Sequence, residues 1–314
     1  MKIAILDRST LGSDIDLSPI RALGETLEYP STNLSQMTEH IGDAEVIVVN
    51  KIKCNEESLS GSKNLKLICV SATGYDNIDL EYCKSRGIAL CNVPAYSTDS
   101  VAQTSVAMAM SLSTHLFEYR DFVTSGKYKE RGTANCLEPV YHEMSSLTWG
   151  VVGGGGIGTK VAQIARAIGC RVVVCRRKQE GEFPLADIDT LCKTCDIISL
   201  HIPLSDTTKE LINRQRIDSM KQGAIVINTA RGAVCDESAL AEAAKIGKIL
   251  LGCDVYSTEP FGTDHPFWEI KNLPNVCLTP HMAWGAFESR TRCINVIAEN
   301  IRLFFDNNSQ NRIV

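Results

Sequence analysis

A chain of 314 residues is long for one compact core, so two domains are expected. With 44% hydrophobic and 22% charged residues and a formal charge of −5, the composition is that of an ordinary globular protein of the cytoplasm and argues against a nucleic-acid surface. No apolar run approaches membrane length, and Met1-Lys2-Ile3-Ala4-Ile5-Leu6-Asp7 reads as a first strand rather than a signal peptide, because an acid interrupts it early.

Residues 3–6, 46–49 and 67–70 read as buried parallel strands, with a fourth candidate at 88–91. Helical stretches at 35–41 and 79–86 alternate with them, and Gly87 is placed to stop the second. Thr98-Asp99-Ser100 is a cap cluster that opens a helix over 101–116, rich in Ala, Met and Val on nearly all sides. A second βα series follows, with strands before Gly153 and at 172–175, 197–200, 224–227, 250–255 and 276–278. The last helix, 288–305, is amphipathic and is expected to return to the first domain. The reading is α/β throughout: two doubly wound parallel-sheet domains, one over 1–98 plus 285–314 and one over 99–284.

The stretch from Leu147 to Lys178 carries the most chemistry. A short apolar strand runs into Gly153-Gly154-Gly155-Gly156-Ile157-Gly158, followed by a helix from Lys160 and a strand ending at Cys175. This is G-x-G-x-x-G in a strand–turn–helix setting, which fits a dinucleotide. Gly153 makes the turn, Gly155 lets the backbone approach a diphosphate, and Gly158 permits close helix–strand packing. At the second strand end, where a carboxylate would accept from the ribose hydroxyls, stand Arg176, Arg177 and Lys178. Three cations there fit a 2′-phosphate, so NADP(H) is expected to be preferred, with NAD(H) possible.

The 13 cysteines lack a framework spacing and are expected to pack as small apolar residues. Cys192 and Cys195 form C-x-x-C, but no second pair completes a zinc site, and no metal is expected.

Three ionisable residues follow the glycine loop at predicted strand ends: Arg231 in Asn228-Thr229-Ala230-Arg231-Gly232, Glu259 in Asp254-Val255-Tyr256-Ser257-Thr258-Glu259-Pro260, and His281 in Thr279-Pro280-His281. With Asn50-Lys51, the segment Ala72 to Asp79, Pro94-Ala95-Tyr96-Ser97 and His201-Ile202-Pro203-Leu204, they resemble the D-2-hydroxyacid dehydrogenase family over nearly the whole chain. The tail from Asn308 to Asn311, together with Met282-Ala283-Trp284, looks most like the glycerate dehydrogenase and hydroxypyruvate reductase branch.

That resemblance implies a flavodoxin-like substrate domain and a Rossmann cofactor domain. It implies that Arg231 grips the substrate carboxylate and carbonyl oxygen, that His281 is the general acid, and that Glu259 pairs with His281 to keep it cationic. The amides of Thr73 and Gly74 would bind the carboxylate, with Lys51, Tyr96 and Trp284 near the pocket. Gly156, Ile157, His201, Pro203, Thr229 and Asp254 would line the cofactor, Asp254 and the Thr229 carbonyl at its carboxamide. A homodimer through the 101–116 helix and residues 122–142 is expected, as is reduction of glyoxylate and hydroxypyruvate. Two alternatives stay open: a dehydrogenase for bulkier 2-oxo acids, and a dinucleotide-sensing corepressor-like binding protein.

Overall fold

Runs of β-branched and aliphatic residues build two separate parallel sheets. In the computed structural model, which describes residues 1–177, 181–308 and 310–314, they lie in two units, Met1–Ser97 with Gly285–Val314 and Thr98–Trp284. Lys178, the third expected cation, and Ser309 in the tail lie outside the described residues.

The first unit has strands β1 (Lys2–Ile5), β2 (Glu25–Glu28), β3 (Val46–Val49), β4 (Leu67–Val70) and β5 (Ala89–Cys91), all parallel, in the order β2-β1-β3-β4-β5. Every residue of β3 and β4 is buried, as a strand covered on both faces requires. Strand β2, Glu-Thr-Leu-Glu, has no such apolar run and was not among the four expected strands. It pairs only with β1 at the sheet edge, where its side chains reach solvent and tertiary pairing replaces hydrophobicity as the cause of the strand. At the opposite edge the tail covers β5, with an antiparallel bridge from Arg312 to Cys91 and a bond from Ile313 N to Leu90 O (2.8 Å). The Phe287–Phe305 helix buries Cys293, Ile294, Ile297 and Ile301 in this unit. Gly87, at φ 65°, ends the Leu80–Arg86 helix that Asp79 caps.

In the second unit β6 (Thr148–Val152), β7 (Arg171–Cys175), β8 (Ile197–Leu200), β9 (Ala224–Asn228), β10 (Ile249–Cys253) and β11 (Val276–Leu278) form a parallel sheet ordered β11-β10-β9-β8-β6-β7. Outside β7, Leu185 makes a single parallel bridge to Val174. Counting that rudiment as a strand gives the Rossmann order, whose direction of winding reverses between β6 and β8. The crevice at the carboxyl ends of those two strands is the place where such sheets bind ligands. Buried Trp149 anchors β6 to β8 through Nε1 to Ser199 Oγ (2.9 Å).

Two helix boundaries differ from expectation. The long helix runs Thr98–Ser113, so the Thr-Asp-Ser cluster lies inside it, and it stops before His115, which turns left-handed at φ 49°. It is not buried on all sides either, since Gln103, Ala107 and Met110 form an exposed stripe. All 13 cysteines are free thiols, most of them buried. Cys192 and Cys195 pack among Leu191, Ile217 and Met220, and burial pushes the Cys192 thiol up to about 12. Among the described residues no group of three or more His, Cys, Asp or Glu gathers to hold a metal, and no helix is long and apolar enough to cross a membrane.

Candidate active site

The glycine loop leaves β6 and enters the helix Gly156–Ala167, which begins inside the motif, four residues before the start expected at Lys160. Each glycine meets a different constraint. Gly153 has φ 108°, and a Cβ there would strike the His201 carbonyl oxygen from the neighbouring strand end. A Cβ on Gly158 would strike the Gly153 carbonyl oxygen, so the helix can approach β6 only through glycine. Gly155, the N-cap, has nothing within 4 Å of its Cβ position. The open space lies at the positive end of a helix of 12 residues, which suits a diphosphate. Gly156 opens the helix, and Ile157 packs partly into the core.

At the end of β7 the Arg176 side chain lies across the loop, its Cδ 2.5 Å from the Cβ position of Gly154. Its Nε and Nη2 are buried and have no hydrogen-bond partner among the described residues. Two shielded guanidinium nitrogens without an acceptor are costly, and an anion at this spot would satisfy them. Arg177 is exposed and donates to Thr207 Oγ1 (3.3 Å). His201, at the end of β8, also has both ring nitrogens buried without a partner, and burial pushes its pKa down to about 3. Pro203 is exposed. These features fit a dinucleotide on the glycine loop, with a phosphate near Arg176.

The ionisable residues stand at the ends of β9, β10 and β11. Arg231 follows β9; Asn228 Nδ2 donates to its carbonyl (2.9 Å), and its own Nη1 donates to Ala230 O (2.8 Å). The next residue, Gly232, packs so closely on the Tyr256–Ser257 backbone that a Cβ would overlap it. Arg231 is thereby brought beside the segment that carries Glu259. Glu259 Oε1 accepts from Tyr256 N (3.0 Å), and Oε2 lies 2.6 Å from His281 Nδ1.

His281 has φ 52°, a left-handed conformation that costs a non-glycine residue about 1–2 kcal/mol. Asp254 holds that turn in place. It is 1% exposed, its Oδ1 accepts from Thr279 Oγ1 (2.6 Å) and Met282 N (2.8 Å), and its Oδ2 accepts from Ala283 N (2.9 Å). Asp254, expected only at a cofactor carboxamide, thus shapes the histidine loop. Its position directly after β10 gave no sign of this work, because the three donors lie 25 to 29 residues away. Trp284 Nε1 donates to the His281 carbonyl (2.9 Å), and Thr229 Oγ1 bonds Ser105 Oγ (2.9 Å).

Lys51, Thr73, Gly74 and Tyr96 belong to the first unit, at or after the carboxyl ends of β3, β4 and β5. Thr73 is pinned on both sides, its hydroxyl to Val93 O (2.9 Å) and its carbonyl from Asn92 Nδ2 (2.8 Å). Asp7, absent from the expected site, is 5% exposed and accepts from the amides of Asn50 (2.8 Å) and Lys51 (2.9 Å). Burial pushes its carboxyl above the usual range against the opposing pull of those amides. An acid immediately after an apolar strand was the available signal for it.

Fold, glycine loop and strand-end residues together define a nicotinamide-dependent oxidoreductase. Residues 106–283 match the NAD-binding domain of the D-isomer-specific 2-hydroxyacid dehydrogenases, and the chain belongs to that family of enzymes acting on CH–OH donors. It is 32% identical to a hydroxypyruvate reductase of Blautia hydrogenotrophica over 314 residues, 97% of each chain. Among solved structures it resembles D-lactate dehydrogenase from Aquifex aeolicus complexed with NAD and lactic acid, with a TM-score of 0.83 and 32% identity over 98% of this chain and 96% of that one. It also resembles the acyclic imino acid reductase Bsp5 in complex with NADPH and D-Arg, with a TM-score of 0.85 and 27% identity over 100% of both chains.

Proposed function

We propose that this enzyme reduces a small 2-oxo acid, glyoxylate or hydroxypyruvate, to the D-2-hydroxy acid, with NADPH preferred over NADH. The observation that carries the reading is the His281 Nδ1 to Glu259 Oε2 contact of 2.6 Å beside Arg231. With Nδ1 held by the carboxylate, the proton delivered to the carbonyl oxygen is the one on His281 Nε2. The Arg231 guanidinium fork binds the substrate carboxylate and polarises the carbonyl. Amides of Thr73 and Gly74 take the carboxylate, while Lys51, Tyr96 and Trp284 bound the remaining space. The bound nicotinamide cofactor supplies the hydride.

Gly153, Gly155, Gly156, Ile157 and Gly158 cradle the cofactor diphosphate, His201 and Pro203 flank it, and Thr229 and Asp254 serve its carboxamide. Asp254 keeps lone-pair capacity for that, since three bonds do not exhaust two carboxylate oxygens. The unpartnered Arg176 Nε and Nη2 support a 2′-phosphate and hence NADPH. Free thiols throughout support the reducing cytoplasm as its compartment. A homodimer is supported by the Leu116–Thr124 helix, which buries none of its residues, and by Leu137 and Val140, which are 73% and 71% exposed.

The test is a panel of 2-oxo acids assayed with NADPH and NADH, on the wild type and on Arg176→Asp. Hydroxypyruvate and glyoxylate should give the highest kcat/KM, pyruvate less, and neutral ketones almost none. Arg176→Asp should move preference toward NADH, because each charge-assisted bond to a phosphate is worth on the order of 1.5–3 kcal/mol. A higher kcat/KM for phenylpyruvate overturns the small-pocket reading. Tight dinucleotide binding with no turnover on any 2-oxo acid favours the corepressor-like alternative.

A further inference from the structure

One buried polar cluster of the second unit has no part in the site described so far. Glu237, at the start of the Glu237–Lys245 helix, and His265 are 9% and 8% exposed. Glu237 Oε1 accepts from Ser257 N (2.9 Å), and Oε2 accepts from the Ser257 hydroxyl and from His265 Nε2 (3.1 Å). Phe267 N donates to His265 Nδ1 (3.1 Å), which places the imidazole proton on Nε2, facing the carboxylate. The ring is walled by Phe261, Phe267 and Tyr256, with centroids 5.0, 5.1 and 6.0 Å away. A buried polar pair of this kind is seldom the most stabilising choice, because well-packed apolar residues avoid its desolvation cost. Its presence asks for a reason other than stability.

The reason lies in what Glu237 holds. Glu259 Oε1 takes the amide of Tyr256, and Glu237 takes the next amide, that of Ser257. Two carboxylates therefore clamp consecutive N–H groups of the turn whose last residue faces His281. We infer that Glu237, fixed by His265, is a positioning residue that sets the Tyr256 to Glu259 turn so that Glu259 Oε2 meets His281 Nδ1. The inference rests on the reading of that pair as catalytic.

The hydrogen-bond pattern makes it testable. In Glu237→Gln the Ser257 amide keeps an acceptor, but the new NH2 faces the His265 Nε2–H, donor against donor, and Phe267 N–H blocks the other tautomer. His265→Asn leaves an acceptor for Phe267 N–H and removes the opposing donor, so the double variant relieves the conflict. With the best 2-oxo acid of the panel and NADPH, Glu237→Gln should lower kcat about tenfold, as small misplacements of reacting groups do. KM and the cofactor Kd should stay within about twofold, because the substrate and cofactor contacts are untouched. Adding His265→Asn should restore most of kcat. In a Glu259→Gln background the Glu237 substitution should have no further effect, since the group it positions is gone.

Unchanged kcat in folded Glu237→Gln, or the same fractional loss in the Glu259→Gln background, overturns the inference. If Glu237→Gln does not fold, Glu237→Asp, whose shorter side chain draws the carboxylate away from the Ser257 amide, decides: a kcat loss absent from the Glu259→Gln background supports the inference, and wild-type kcat overturns it. Should Glu259→Gln by itself keep wild-type kcat, the catalytic reading of the pair fails, and the inference falls with it.

Discussion

Both ring nitrogens of His201 are shielded and lack partners among the described residues, and burial pushes its pKa from 6.5 down to about 3. The folded state therefore resists protonation while the unfolded chain accepts it. The stability this neutral ring carries is complete above pH 6.5 and is lost as pH falls from there through about 3. Each unit of pH inside that window costs about 1.4 kcal/mol. Urea unfolding at pH 7.5 and 5.5 should show a loss in the wild type that exceeds the loss in His201→Gln by about that amount. Equal losses in the two proteins would mean that the ring is not the buried, neutral group described. The family resemblance places the same residue at the cofactor, whereas the shielding of its ring belongs to the tertiary packing around the end of β8.

At the scale of elements, the glycine loop separates packing from binding. Gly158 has no room for a methyl group against the Gly153 carbonyl, whereas Gly155 faces open space at φ −74°, which any residue adopts. Gly158→Ala should force the helix off β6 at a cost of about 1–3 kcal/mol. Calorimetry should then show a Tm lowered by several degrees, at roughly 2–4 °C per kcal/mol for a unit of this size. Gly155→Ala should leave Tm unchanged yet weaken cofactor binding, since its methyl enters the open space proposed for the diphosphate. A lower Tm in Gly155→Ala, or tight cofactor binding by it, would refute that division of labour. The motif was legible because its spacing reflects steric limits. The start of its helix was misplaced by four residues, because glycines are poor helix formers and only the sheet beneath them compels the turn to begin there.

For the whole molecule, the apolar residues left outside both cores matter most. Leu116, Val123, Tyr128, Leu137, Val140 and Tyr141 are all exposed within one stretch of 26 residues of the second unit. They follow the exposed stripe of Gln103, Ala107 and Met110 on the Thr98–Ser113 helix. Apolar side chains exposed in this number are expected to be covered by a second copy through a two-fold interface. Light scattering at micromolar concentration should give twice the chain mass, and Val140→Asp should shift it toward the monomer. A wild-type monomer mass would reject the dimer.

The sequence by itself determined the two parallel sheets, the glycine loop and the positions of Arg231, Glu259 and His281, because each is written locally. Buried parallel strands must be continuous apolar runs, a diphosphate turn must be glycine, and the three residues proposed for catalysis follow strand ends. Strand β2 escaped it, since an edge strand with charged side chains exists by pairing with β1 rather than by its own composition. The same holds for Asp254, Glu237 and His265. Their neighbours in sequence say nothing of the loop donors that Asp254 holds, of the turn amide that Glu237 holds or of the Glu237 carboxylate that His265 meets, which lie about 20 or more residues away. Only the tertiary structure decided those roles, because a hydrogen bond between distant segments is specified by the packing that brings them together and leaves no period or spacing in the chain.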